Sequence, residues 1–219
     1  MKLISVNVGR TRLLAWQGTT VSTGIFKAPV SGRIMLRRAN LDGDRQADLA
    51  DHGGPDKAAY AYPSEHYAYW SKQFPGRNLP WGAFGENFTT EGMSEIAVSI
   101  GDRYRVGSAV VAVKTPRIPC FKLAAKFQSE GMIEKFLLSG YSGFYFAVVE
   151  EGEVGAGDEL DLLSKGPSTL TVLETFTLYW SPRPDIELLK RAAQLNFLPL
   201  EWQKRLQSKL ATRSQSLQS

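Results

Sequence analysis

The stretch Ala109-Val110-Val111-Ala112-Val113-Lys114-Thr115 runs directly into Pro116-Arg117-Ile118-Pro119-Cys120. A run rich in valine predicts a strand that ends at Thr115. The two prolines stiffen the connection, and a helix is predicted to begin near Cys120. Working outward, similar β-type runs fall at Lys2–Val8, Thr20–Ala28, Ile96–Ile100, Phe144–Val149, Glu159–Leu163 and Thr169–Leu178. Glycines punctuate them, and Gly101-Asp102 and Gly157-Asp158 read as turns. That spacing predicts a barrel or a strongly bent antiparallel sheet.

Helical inserts are predicted at Ser64–Gln73, Cys120–Phe127 and Met132–Leu138, which makes the class α+β, mainly β. The chain changes character after Ser181-Pro182-Arg183-Pro184. Beyond it, Asp185–Leu195 and Leu200–Leu210 read as short helices, and Leu198, Trp202, Leu206 and Leu210 recur every four residues. The expected organisation is a β-barrel domain over 1–180 and a small all-α module over 181–219.

A chain of 219 residues with 43% apolar and 22% charged residues suits a folded, soluble protein. No apolar run approaches the length of a membrane span, and the N-terminal apolar stretch is too short for a secretion signal. One cysteine allows no internal disulfide, so a cytoplasmic setting is expected. The net charge of +4 is concentrated at the end. Residues 1–179 carry 19 basic and 19 acidic side chains, whereas 180–219 carry 7 and 3. The body lacks the general basicity of a nucleic-acid binder.

Charge is also segregated within the body. No acidic residue precedes Asp42, whereas Lys2, Arg10, Arg12, Lys27, Arg33, Arg37 and Arg38 do. Between Asp102 and Glu130 stand six basic residues and no acidic one, and Cys120 lies among them. If the two segments converge, the cysteine faces an anion-attracting pocket.

A thiol at a helix N-terminus between Arg117 and Lys122 is expected to be acidified and nucleophilic, and a thiolate is also a soft metal ligand. A lone cysteine is more often a buried structural residue; the prolines and cations favour function here. Asp51-His52-Gly53-Gly54-Pro55-Asp56-Lys57 offers close backbone approach at Gly53 and Gly54, a cation in Lys57 and a donor in His52. It could equally be a plain turn. Glu86-Asn87 sits between glycines and aromatics, where Asn87 can present donors and an acceptor or simply close a loop. Ser139-Gly140-Tyr141-Ser142-Gly143 could bind phosphate through Ser142 and the Gly143 amide, or serve only as a helix-to-strand connection. No zinc, P-loop or dinucleotide pattern occurs. A cysteine hydrolase would need His52 or His66, and no spacing supports that pairing.

Taken together, D-H-G-G-P-D-K at 51–57, F-G-E-N-F-T-T-E-G at 84–92, I-G-D-R-Y-R-V-G at 100–107, T-P-R-I-P-C-F-K-L at 115–123 and S-G-Y-S-G-F-Y at 139–145 resemble, in this order, the MOSC domain proteins. These are related to the C-terminal domain of molybdenum cofactor sulfurases, and the YiiM-type branch adds a C-terminal three-helix module. The resemblance implies a mostly antiparallel β-barrel core and a pterin-bound molybdenum cofactor (molybdopterin), with Cys120 as metal ligand and Asn87 and His52 as further catalytic residues. It implies that Lys57, Arg33, Arg117 and Lys122, with the Gly53, Gly54, Ser142 and Gly143 loops, meet the cofactor phosphate. It further implies reduction of N-hydroxylated compounds such as hydroxylaminopurine-type base analogues, a detoxification. Electrons would come from an external reductase, a flavoprotein. The expected partners include neither nucleic acid nor membrane, and the chain would be a monomer or homodimer. The competing reading is a non-catalytic molybdenum cofactor or sulfur carrier that also uses Cys120.

Overall fold

The computed structural model describes residues 1–47, 53–167 and 170–215. Their elements run β1 (Lys2–Val8), β2 (Arg12–Trp16), β3 (Thr19–Thr23), β4 (Ala28–Pro29), β5 (Arg33–Leu36), a 3-10 turn (Pro55–Lys57), β6 (Ala59–Pro63), α1 (His66–Gln73), β7 (Phe88–Glu91), β8 (Arg103–Val106) and β9 (Ala109–Pro116). Then follow α2 (Phe121–Phe127), α3 (Met132–Ser139), β10 (Phe144–Glu150), β11 (Gly152–Gly155), β12 (Leu160–Ser164), α4 (Val172–Trp180), α5 (Ile186–Ala193) and α6 (Leu200–Gln215).

The fold is mixed α+β and is dominated by one eight-stranded sheet, in the order β12-β8-β9-β10-β6-β7-β1-β4. Its pairs are antiparallel except β6–β7, a parallel pair joined across α1. Strand β9 lies inside this sheet, between β8 and β10, and its Val111 and Val113 are fully buried. Among the described residues the expected barrel does not close. The sheet curls until Leu3 N–H donates to Asp158 O at 2.8 Å and Leu160 N–H to Met1 O at 2.9 Å. At that seam the turn at Gly157, with φ of 97°, sends the chain off along β8. Among the described residues a single Lys2–Glu159 bridge results there, with no ladder.

Three of the expected strands change form. The Thr169–Leu178 run is helical from Val172 onward, although it is rich in β-formers. Thr171 Oγ1 accepts from Glu174 N–H at 3.1 Å while Glu174 Oε2 accepts from Thr171 N–H at 2.7 Å. This reciprocal cap satisfies amides that a helix start would otherwise leave unpaired, and it outweighs strand propensity. The Ile96–Ile100 run is a turn, in which Ala97 and Val98 N–H both bond to Ser94 O. Thr20–Ala28 is split into β3 and β4 at Gly24, where a side chain would meet the Arg45 carbonyl at 2.1 Å.

The apolar face read from Leu198, Trp202, Leu206 and Leu210 turns toward its own chain and packs with Val98, Ile100, Val172 and Leu178 in the main core. A second, aromatic cluster of Tyr60, Tyr62, Tyr67, Trp70, Phe84, Phe127 and Phe136 joins α1, α2 and α3 to β6. It fixes where α2, and with it Cys120, is held. Among the described residues no helix is long and apolar enough to cross a membrane.

Candidate active site

Pro119 ends the extended segment after β9, and Cys120 follows as the N-cap of α2 in extended conformation (φ −125°, ψ 169°). The helix has seven residues, so its dipole adds little. The charge around the sulfur comes instead from side chains. Cys120 is half-buried and lines a cavity of about 80 Å³ with Lys27, Arg45, Lys57, Arg117 and Lys122. No carboxylate lines it among the described residues; the phenols Tyr60 and Tyr145 and the Asn87 side chain do. The two acid-free segments of the sequence therefore meet here, Lys27 from one and Arg117, Cys120 and Lys122 from the other.

Arg117 is nearly fully buried and tightly held. Its Nη1 donates to the Phe84 carbonyl, its N–H to Gly143 O at 3.3 Å, and its guanidinium lies 4.7 Å from the Tyr60 ring centroid. The Tyr60 hydroxyl donates to Ser142 O at 2.8 Å. Burial pushes the Tyr60 and Tyr145 phenols up, so both stay protonated at neutral pH, although Arg117 acts in the opposite sense. The Tyr145 hydroxyl has no hydrogen-bond partner among the described residues, which leaves its proton available to the cavity.

The other sequence candidates are distributed as follows. Lys57 reaches the cavity from the end of the 3-10 turn, and Gly53 and Gly54 precede it without lining it. Ser142 and Gly143 stand behind the cavity wall: Ser142 Oγ donates to Gly143 O at 2.8 Å, and Gly143 N–H to Glu95 at 2.7 Å. Asn87 lines the cavity with its polar atoms already committed. Its Nδ2 donates to Asn7 O at 3.2 Å and Asp44 Oδ2 at 3.0 Å, and its Oδ1 accepts from Tyr60 N–H at 3.1 Å. Arg33 is elsewhere, on β5, bound to both Asp158 oxygens at 2.7 and 3.0 Å. His52 lies outside the described residues.

Sequence reasoning did not single out Lys27, Arg45, Tyr60 or Tyr145. Lys27 stood in the acid-free segment. Tyr60 and Tyr62 alternate in β6, a signal that both project from one face. Among the described residues no three His, Cys, Asp or Glu side chains converge on a metal-sized site. From the described residues alone, a metal at Cys120 would not find three such ligands.

The MOSC domain family matches residues 48–161, and the YiiM-like 3-alpha helix domain matches residues 170–213, which take in α4, α5 and α6. Uncharacterized protein YflK of Bacillus subtilis is 48% identical over 170 residues, 78% of this chain and 76% of its own length. Protein YiiM of Escherichia coli is 35% identical over 85% of this chain and 84% of its own. A protein named Reductase from Gibberella moniliformis is 30% identical over 88% of this chain, which spans only 35% of that longer protein. The crystal structure of YiiM from Geobacillus stearothermophilus superimposes with a TM-score of 0.80 at 34% identity, covering 95% of this chain and 98% of that one. With its core and its appended helices both matched, the chain belongs to the MOSC domain family, in the branch that carries a YiiM-like 3-alpha helix domain.

Proposed function

We propose that the protein is a molybdenum-cofactor-dependent reductase of N-hydroxylated compounds, hydroxylaminopurine-type bases among them, with Cys120 as the protein ligand of the metal. One observation carries the reading: the only cysteine opens on a cavity walled by five cations and two phenols, with no carboxylate among the described residues. A soft thiolate donor among cations suits an anionic, sulfur-rich metal group. A cavity of about 80 Å³ is smaller than the ~300 Å³ or more of a whole cofactor pocket. The fit is therefore to the metal end of the cofactor. The cofactor, when bound, supplies a two-electron reduction.

The remaining work falls to this chain's own residues. Cys120 holds the metal end in place. Arg117 and Lys122 offset negative charge beside the sulfur, and Asn87, with Asp44 behind it, keeps β6 and Tyr60 in register with the cavity. Reduction of an N-hydroxyl group consumes two electrons and two protons and releases the amine and water. Tyr145, half-buried and protonated with an uncommitted hydroxyl, is placed to donate a proton to the departing oxygen. The electrons come from a separate flavoprotein reductase. In keeping with this, the Gibberella protein named Reductase extends far beyond the part matched here.

The test is turnover of an N-hydroxylated purine by cofactor-loaded protein, with reduced viologen as a chemical electron source. Reduction by the parent that is abolished in Cys120→Ala supports the reading. No reduction with any donor by loaded protein would leave a carrier role.

A further inference from the structure

Beside the Cys120 cavity opens a second one of about 430 Å³, and Lys27 lines both. Its lining includes Arg12, Phe26, Arg77, Lys126 and Phe127, and no carboxylate among the described residues. Two largely buried lysines form its base. Lys27 Nζ is paired with Asp44, and Lys126 Nζ donates to Ile25 O at 3.0 Å and Gly82 O at 2.9 Å. In its charged form Lys126 has three protons and keeps one for another acceptor.

Two exposed arginines stand at the mouth. The Arg12 guanidinium lies 3.2 Å from the Phe26 ring centroid, and that of Arg77 lies 5.4 Å from the Phe127 centroid. Neither has a carboxylate partner among the described residues. Four basic side chains ring one cleft and repel one another when charged, and among the described residues only Lys27 is answered by an ion pair. An anion of more than one negative charge, with several acceptor oxygens, relieves that repulsion.

We propose that this cleft is a seat for a phosphate monoester. Arg12 and Arg77 bind phosphoryl oxygens from the mouth, Lys126 meets them from the base, and Phe26 and Phe127 flank the attached organic group. Guanidinium forks match phosphate oxygens in pairs, which favours this anion over a monovalent one. The seat exists whether or not Cys120 holds a metal. Its ligand has two possible sources, the terminal phosphate of a cofactor anchored at Cys120 across the Lys27 partition, or a free nucleotide.

The experiment is calorimetric titration of cofactor-free protein with inorganic phosphate, adenosine 5′-monophosphate and adenosine. It is run beside the double variant Arg12→Ala, Arg77→Ala, whose fold is checked by circular dichroism. Binding of the two phosphates but not adenosine, weakened roughly tenfold or more in the variant, is the expected result. Molybdenum content of both proteins from a cofactor-producing host separates the sources. Loss of metal in the variant assigns the seat to the cofactor phosphate, and retention with loss of nucleotide binding assigns it to a free ester. Equal phosphate affinity in parent and variant overturns the proposal. So does the absence of phosphate binding together with unchanged molybdenum. Where the parent itself takes up no molybdenum, the titrations alone decide, so this result is independent of the reading of Cys120.

Discussion

Lys27 Nζ lies 2.6 Å from each carboxylate oxygen of Asp44, and the Asp44 side chain is fully buried. This ion pair stands in the partition between the two cavities. The same carboxylate accepts from Gly9 N–H at 2.8 Å and from Asn87 at 3.0 Å, so one group ties β1, β4 and the Asn87 loop together. Burial pulls the Lys27 ammonium below the usual lysine range, and Asp44 opposes that pull.

Removing the negative partner alone leaves a buried, uncompensated cation. Asp44→Asn should lower stability by about 3–5 kcal/mol, read by urea denaturation. A loss below about 1 kcal/mol would show that Lys27 reaches water without Asp44.

Lys126 is pushed down to about 7, first by burial and also by Arg117, Arg12 and Lys27, against the Glu86 carboxylate. An unfolded lysine titrates near 10.5. Between these values the unfolded chain binds more protons, so this residue's contribution to stability rises with pH across the window. Below pH 7 the full cost of burying the charge is present. The stability difference between the parent and Lys126→Met should therefore move in the parent's favour from pH 7 to 10. A difference that does not change with pH would contradict this.

Tyr145→Phe should retain the metal and the fold while lowering kcat for N-hydroxyl reduction about 10²-fold or more, the range of a lost general acid. Unchanged kcat would assign the proton to solvent.

Trp202 packs on Tyr179 with ring centroids 4.4 Å apart and shares the main core with Val98 and Ile100. Trp202→Ala should cost about 3–5 kcal/mol and leave one cooperative unfolding transition. Two separated transitions would mean that the appended helices fold apart from the sheet. Glu201, one residue earlier, reaches Lys57 at 3.2 Å and is largely exposed. Glu201→Gln should change stability by less than about 1 kcal/mol in the same assay.

The elements with strong local signals were legible from sequence. Strand β9, its proline stop and α2 follow from apolar runs and breakers, and that chain segment delivers Cys120. What escaped was decided by contacts distant in sequence or by competing local signals. The Thr171–Glu174 cap turned a β-rich run into α4. The single Lys2–Glu159 bridge leaves the curled sheet short of a barrel, and no local pattern reports how a seam ends. At the site, the acid-free segments did converge on Cys120. Their useful members were set by tertiary placement: Lys27 enters from β4's approach, whereas Arg33, six residues on, is carried by β5 to Asp158. Asn87 was marked as a polar residue among aromatics, and its polar atoms proved to be spent on Tyr60, Asn7 and Asp44.

The central claim is that Cys120 holds molybdenum, and the direct measurement is metal per chain in parent and Cys120→Ala protein from a host that makes the cofactor. Close to one molybdenum per chain is expected in the parent and almost none in the variant, with both folded. Equal molybdenum in the two, or none in a parent whose host supplies cofactor to a control enzyme, would contradict it.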